Sequence, residues 1–145
     1  MKWPNDIVVV SDGAVQKLSG LLSEWVDGVD PVVVIGMGVN IASIESVEGS
    51  ASIEQFGSVL SRDQLLAEII DGFSERVELP DQVREEVRAN SATLGSRVDI
   101  ELPGGRHLAG LASALDDDGR LVVLDDDGQS HLIAAGEVVH SRPAV

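Results

Sequence analysis

Three polar blocks carry the chemistry this sequence offers, and all fall within its first forty residues: Lys2-Trp3-Pro4-Asn5-Asp6, Lys17-Leu18-Ser19-Gly20-Leu21-Leu22 and Gly36-Met37-Gly38-Val39-Asn40. Lys2 and Lys17 are the chain's only lysines; the other eight residues in its Lys+Arg total of 10 are arginines. A lysine inside an apolar strand must either extend to water along its own stem or meet an anion. Gly20, three residues after Lys17, removes a side chain and admits a ligand or another backbone. Asn5 offers two donors and an acceptor, whereas an ionised Asp6 only accepts. Gly36 and Gly38 after an apolar run also permit close approach, and Asn40 has the groups to read a base edge or a sugar. Plainer readings stand beside these: an N-terminal turn for Lys2–Asp6, an edge-strand lysine opposing aggregation for Lys17, and a bulge ending a strand for Gly36–Gly38.

The elements that must hold these blocks are legible from patterning. Asp6–Val10 is a β-branched run and reads as a strand, followed by a turn at Ser11-Asp12-Gly13. The stretch from Val15 to Val26 reads as the second arm of a hairpin. Pro31–Gly36 is continuously apolar, the pattern of a central strand buried on both faces. Three sequential strands with short turns predict an antiparallel meander. Ile41–Ser61 reads as a loop with one short helical turn. Ser61 then caps a helix over about 62–77, with Leu65, Leu66, Ile69, Ile70 and Phe73 at helical spacing. Pro80 opens a shorter helix ending near Ala89. From Arg97 the period becomes two, and five short elements with glycine turns read as a small SH3-like β-barrel, with Gly110 as a bulge or bend. The expected class is α+β: a partial mixed or antiparallel sheet with two helices, then the barrel, divided at about 1–93 and 96–145.

Composition narrows the function classes. The 145 residues are 43% hydrophobic with a net charge of −15. That charge opposes broad contact with nucleic acid or an anionic membrane surface. There is no cysteine, which removes disulfides, thiolate nucleophiles and Cys-based zinc sites. No apolar stretch is long enough to span a bilayer, and no secretory signal pattern opens the chain, so a cytoplasmic location is expected.

Other residues offer less. Gly36-Met37-Gly38 is not the dinucleotide fingerprint, because Ile41 stands where the third glycine falls. His107, His131 and His140 do not pair at metal-ligand spacing, and no metal site is expected from them. The two Asp-Asp-Asp-Gly runs lack the alternating acidic positions of an EF-hand and read as hairpin turns. No serine has a recognisable His–Asp partnership.

Taken together, the blocks resemble those of the biotin–protein ligases. Lys2–Asp6 reads KWPND, a long and specific motif of that family. Lys17–Glu24 is similar to its K-L-x-G-I-L-x-E strand, and Ile35–Asn40 to its G-x-G-x-N strand end. The ending through Ala135-Gly136-Glu137-Val138-Val139-His140 resembles the C-terminal SH3-like domain of the bacterial enzymes. The resemblance implies an enzyme that joins biotin to ATP, giving biotinyl-5′-AMP and pyrophosphate, and passes biotin to a lysine of a biotin carboxyl-carrier protein. It implies that Lys17 contacts the biotin carboxylate and the α-phosphate, offsetting charge that develops in adenylation. Asp6 would orient or deprotonate the carrier lysine. Asn5 would hold the nucleotide, Asn40 would contact adenine, and Lys2 would support the phosphates or Mg²⁺. Gly20, Gly36 and Gly38 would line the same site.

The family's Gly/Arg-rich phosphate loop and its Ser/Thr-Asn biotin segment precede KWPND and are absent here, as is a helix–turn–helix. The chain thus resembles the C-terminal half of a ligase. It is expected to form little or no adenylate alone and to self-associate, a homodimer being one outcome. The alternative expectation is a non-catalytic dimerisation or carrier-docking module; a third is a generic nucleotide binder built on Gly36–Gly38.

Overall fold

The structure is a computed structural model that describes residues 1–11, 13–42, 47–57 and 60–143, with the backbone alone for 140–143. Asp12 of the first expected turn, 43–46 and 58–59 of the expected loop, and the His140 side chain lie outside the described residues. By contacts the chain resolves into two compact units, Asn5–Ile70 and Met1–Pro4 with Asp71–Val145.

The first unit is built on three strands, β1 (Asp6–Ser11), β2 (Ala14–Val26) and β3 (Val32–Val39), antiparallel in the order β1-β2-β3. The meander follows from β-branched runs separated by short turns, with Gly13 at φ 77° in the first. β3 pairs with β2 only from Ser19 to Val26. Beyond it, at Lys17, the loop takes over: the Lys17 amide donates to Gly49 O at 2.8 Å and the Ala51 amide to Lys17 O at 2.8 Å. One expectation is corrected here. The run at Val32–Ile35 is not a central strand buried on both faces; it lies at the sheet edge, and Val32, Val33, Val34 and Ile35 are each about half exposed. Double burial needs a layer on each face, and no described residue of this unit supplies one over β3. A 3₁₀ turn at Glu54–Phe56 is the helical turn expected in the loop.

Helix α1 (Arg62–Arg76) starts where the sequence places it. The Gln64 amide donates to Ser61 Oγ at 3.3 Å and the Ser61 amide to Gln64 Oε1 at 2.9 Å, a reciprocal capping box. Its apolar stripe is only partly covered: Leu65 and Ile69 are half-buried, whereas Leu66, Ile70 and Phe73 are exposed.

The second unit holds α2 (Pro80–Ala89) and five strands, β4 (Ser96–Leu102), β5 (Arg106–Leu115), β6 (Leu121–Leu124), β7 (Ser130–Ile133) and β8 (Glu137–Pro143). They form an antiparallel sheet in the order β7-β6-β5-β4-β8. The α+β class with two helices holds. Among the described residues β7 does not pair with β8, so the sheet stays open by its hydrogen bonding rather than closing as the expected barrel. The core gathers Val98, Ile100, Ala112, Leu115, Leu121, Val123, Ile133 and Val138 around Trp3, with Val87 of α2 packed against it. Trp3 is 3% exposed; its amide donates to Thr93 Oγ1 at 2.9 Å and its indole Nε1 to Gly119 O at 3.0 Å. Gly110 is a site of close approach rather than the expected bulge, since a Cβ there would fall 2.5 Å from Leu124 O.

Candidate functional site

Simple alternation along β2 puts Lys17 and Gly20, an odd number of residues apart, on opposite faces. The structure does otherwise. Asp6 pairs with Gly20 and Ile7 with Ser19, but Val8 then pairs with Lys17, leaving Leu18 as the extra residue of a bulge. Cross-strand partners share a face. Since Asp6 and Val8 project from one face of β1, the slip returns Lys17 to the face of Asp6 and Gly20. Bulges re-aim side chains in this way. The result is an ion pair, Lys17 Nζ to Asp6 Oδ1 at 2.6 Å, with the Asp6 side chain 19% exposed and that of Lys17 53%.

The backbone of Lys17 is fixed as well as its ammonium, through the two bonds to Gly49 and Ala51. Asn40 secures the same junction. Its Nδ2 donates to Lys17 O at 3.2 Å and to Ala51 O at 3.1 Å, while its amide donates to Leu18 O at 3.0 Å. Both side-chain N–H groups are therefore engaged in holding the Lys17 and Ala51 backbone. Asn5 clasps β2 in a similar way: Nδ2 donates to Leu21 O at 2.6 Å, and the Leu21 amide donates back to Asn5 O at 2.9 Å. Ser19, buried in β2, has a hydroxyl with no partner among the described residues.

The structure thus brings together Asp6, Lys17, Gly20 and Asn40, with Asn5 beside them on the β1 entry. Lys2 is half-buried and is counted with the other unit. A Cβ on Gly36 would lie 3.8 Å from Leu22 O, and one on Gly38 would meet nothing within 4 Å. Packing alone therefore does not require glycine at 38. Sequence reasoning missed the bulge at Leu18 and the structural work of Asn5 and Asn40. The one available signal was the imperfect alternation along β2.

The Asp-Asp-Asp-Gly runs are hairpin turns, as expected. Asp116 Oδ1 accepts from the amides of Asp118 (3.0 Å) and Arg120 (2.8 Å), while Oδ2 accepts from Arg120 Nε at 2.8 Å. Asp125 repeats the design: its Oδ1 accepts from Asp127 (3.0 Å) and Gln129 (2.8 Å), and its Oδ2 lies 2.6 Å from His131 Nε2. The carboxylates are consumed by the turns themselves. Hydrogen bonding to His131, then to the Gln129 amide, holds the Asp125 carboxyl below its usual range. His107 sits 2.9 Å from Asp99, whose carboxylate raises the imidazole pKa. Among the described residues no three His, Asp or Glu side chains gather to hold a metal, and no helix is long and apolar enough to cross a membrane.

Residues 93–141 match the family described as Biotin protein ligase C terminal domain. The chain is 36% identical to the biotin–[acetyl-CoA-carboxylase] ligase of Mycobacterium tuberculosis over 98% of its own length and 53% of that protein. The fold matches the crystal structure of biotin protein ligase from Aquifex aeolicus with a TM-score of 0.75 and 23% identity, over 99% of this chain and 64% of that one. A structure of the Aquifex aeolicus ligase in complex with biotin and ATP matches with a TM-score of 0.75 at 22% identity, over 99% and 62% of the two chains. The chain spans about half the length of the curated relative.

Proposed function

We propose that this chain, which is similar to biotin protein ligases, carries the lysine-bearing half of a site for ATP-dependent biotin ligation. The observation that carries the reading is the Lys17–Asp6 pair at 2.6 Å, set at the end of a KWPND motif and seated by a bulge. An ammonium held by one carboxylate is poised to exchange it for another anion. In this reading Lys17 receives the biotin carboxylate and the α-phosphate, where a charged hydrogen bond contributes about 1.5–3 kcal/mol. Its charge offsets the negative charge that builds as the biotin carboxylate attacks the α-phosphorus of ATP, giving biotinyl-5′-AMP while the α–β anhydride bond breaks and pyrophosphate leaves. Asp6, released from Lys17, is the group to orient the carrier lysine and take its proton.

Asn40 keeps the Lys17 backbone in place and offers its carbonyl oxygen to adenine, while Asn5 holds the β1 entry beside the nucleotide. Gly36 and Gly38 leave open backbone for close ligand approach. Mg²⁺, which the resemblance implies, finds no protein cage among the described residues. It would have to arrive on the nucleotide, and no step is assigned to it. The acceptor is a biotin carboxyl-carrier domain, and a cytoplasmic location belongs to the same proposal.

Thermal melting with biotin plus ATP, or with biotinyl-adenylate, tests this. A ligand at a hundredfold its Kd stabilises by about 2.7 kcal/mol, and Lys17→Ala should abolish the shift. Absence of any shift in the unaltered chain refutes the reading.

A second reading is favoured by the apolar surface of β3, exposed from Val32 to Ile35: a non-catalytic dimerisation or carrier-docking module. A melting shift with the carrier domain and none with small ligands would support it, and sedimentation would separate dimerisation from docking.

A further inference from the structure

We propose that Gly20 is a positioning residue for Lys17: its missing side chain is the seat in which the Lys17 ammonium lies against Asp6. The sequence offers a different role for this glycine, room for a ligand. The geometry assigns the room to Lys17. A Cβ at position 20 would lie 3.1 Å from Lys17 Cε, 3.1 Å from Lys17 Nζ and 3.4 Å from Asp6 Oδ1. The two contacts to Lys17 are tighter than ordinary van der Waals distance, so one side must give by a few tenths of an ångström, enough to spoil a 2.6 Å ion pair.

What gives way is decided by stiffness. The atoms approached most closely are the far end of a flexible lysine, while Asp6 sits on the short stem of the facing strand. Gly20 lies in regular β2 pairing, opposite Asp6 on one side and Gly38 on the other. It is absent from the left-handed glycines of the chain, so alanine fits the backbone there. The expected consequence of a side chain at 20 is an intact sheet with a displaced ammonium. The Leu18 bulge and Gly20 then form one device: the bulge turns Lys17 onto the Asp6 face, and the glycine lets it come to rest. The unpartnered hydroxyl of Ser19 belongs to a residue paired with Ile7, out of step with that face, and plays no part in it.

The consequence for ligand binding rests on the reading of Lys17 as the anion-binding lysine, whereas the positioning itself does not. The test uses the full chain labelled with ¹⁵N and ¹³C. With only two lysines, the Lys17 ammonium should be resolved from Lys2, and in the unaltered chain it should correlate with the Asp6 carboxylate carbon. Gly20→Ala should lose that correlation while the amides of β1 and β2 exchange as before. A correlation that survives Gly20→Ala overturns the proposal. If Gly20→Ala disturbs the sheet, the double variant Gly20→Ala/Lys17→Ala decides. With no long side chain at 17 the added methyl keeps only an ordinary contact with Asp6 Oδ1 at 3.4 Å, and exchange should return to that of Lys17→Ala alone; failure to return places the requirement in the backbone and overturns the proposal. In the ligand arm, Gly20→Ala should weaken apparent binding of biotinyl-adenylate by about tenfold or more, the loss of one charged hydrogen bond. Unchanged binding in Gly20→Ala where Lys17→Ala loses binding overturns the proposal; unchanged binding in both refutes the ligase reading of Lys17 instead. Absence of binding to the unaltered chain refutes the ligase reading instead, and the ammonium correlation still decides the role of Gly20.

Discussion

Replacing Trp3 by alanine should open the C-terminal unit, although the residue lies 90 positions from Thr93 and 116 from Gly119, its hydrogen-bonding partners. Trp3 is 3% exposed and sits among Val98, Ile100, Leu121, Val123 and Val138. Truncating a buried Trp to alanine costs about 3–5 kcal/mol, the lost transfer energy plus the cavity left behind. The indole bond to Gly119 O goes too, but that carbonyl lies in a turn and can turn to water, so little is added. The backbone bond to Thr93 survives. Native-state amide exchange of β4 to β6 reads the change directly, because core amides exchange through opening of the unit. At about 1.4 kcal/mol per tenfold, their protection should fall by two to three orders of magnitude. Trp25→Ala is the control: that side chain is 61% exposed, and its loss should move the same amides by about twofold at most. Equal effects from the two substitutions, or a Trp3→Ala effect below about tenfold, would refute the argument that the motif's tryptophan is a core residue of the C-terminal unit.

Gly110→Ala should destabilise the same unit by about 1–3 kcal/mol or more, since the obstacle is the Leu124 backbone, which cannot swing aside; a urea midpoint matching the unaltered chain would contradict this. Two ion pairs, one exposed and one half-buried, give pH dependence of opposite sign. The raised pKa of His107 means that its pair with Asp99 stabilises fully below the unfolded value of 6.5 and is lost as pH rises through the folded pKa. The lowered pKa of Asp125 means that its contribution stands above the unfolded value of 3.8 and is lost as pH falls through the folded pKa. Melting curves against pH at low salt should flatten on the alkaline side in Asp99→Asn and on the acid side in Asp125→Asn; a slope unchanged in both would exclude these pairs.

Periodicity carried most of the secondary structure. Ser61 and Pro80 marked the helix starts because capping and proline geometry are local effects. The glycine turns after Asp118 and Asp127 were readable because an aspartate bonds to the amides that follow it. Properties decided by what packs against an element were not readable. Val32–Ile35 looks like a doubly buried strand because hydrophobicity records what a strand can bury, not whether a layer covers it. The expected barrel closure failed for a similar reason, as five strands of the right length do not state which edges meet. At the candidate site the residues were legible and their arrangement was not. A single extra residue at Leu18 reverses the face of everything before it, and its only trace in the sequence is the imperfect alternation of β2, which does not say where the slip falls. Gly20 was noticed, but its neighbour across space is Lys17, which no one-dimensional pattern supplies.

The two tryptophans fall one to each unit, in opposite environments. Trp3 is enclosed by aliphatic side chains, while Trp25 on β2 stands in water with its Nε1 donating to Asp27 Oδ1 at 2.7 Å. With no tyrosine in the chain, these are its only near-ultraviolet fluorophores of consequence. One should emit blue and resist an aqueous quencher; the other should emit red and be quenched readily. The molecule thus carries its own pair of optical reporters, and a single unlabelled sample can reveal whether its two halves melt together or apart.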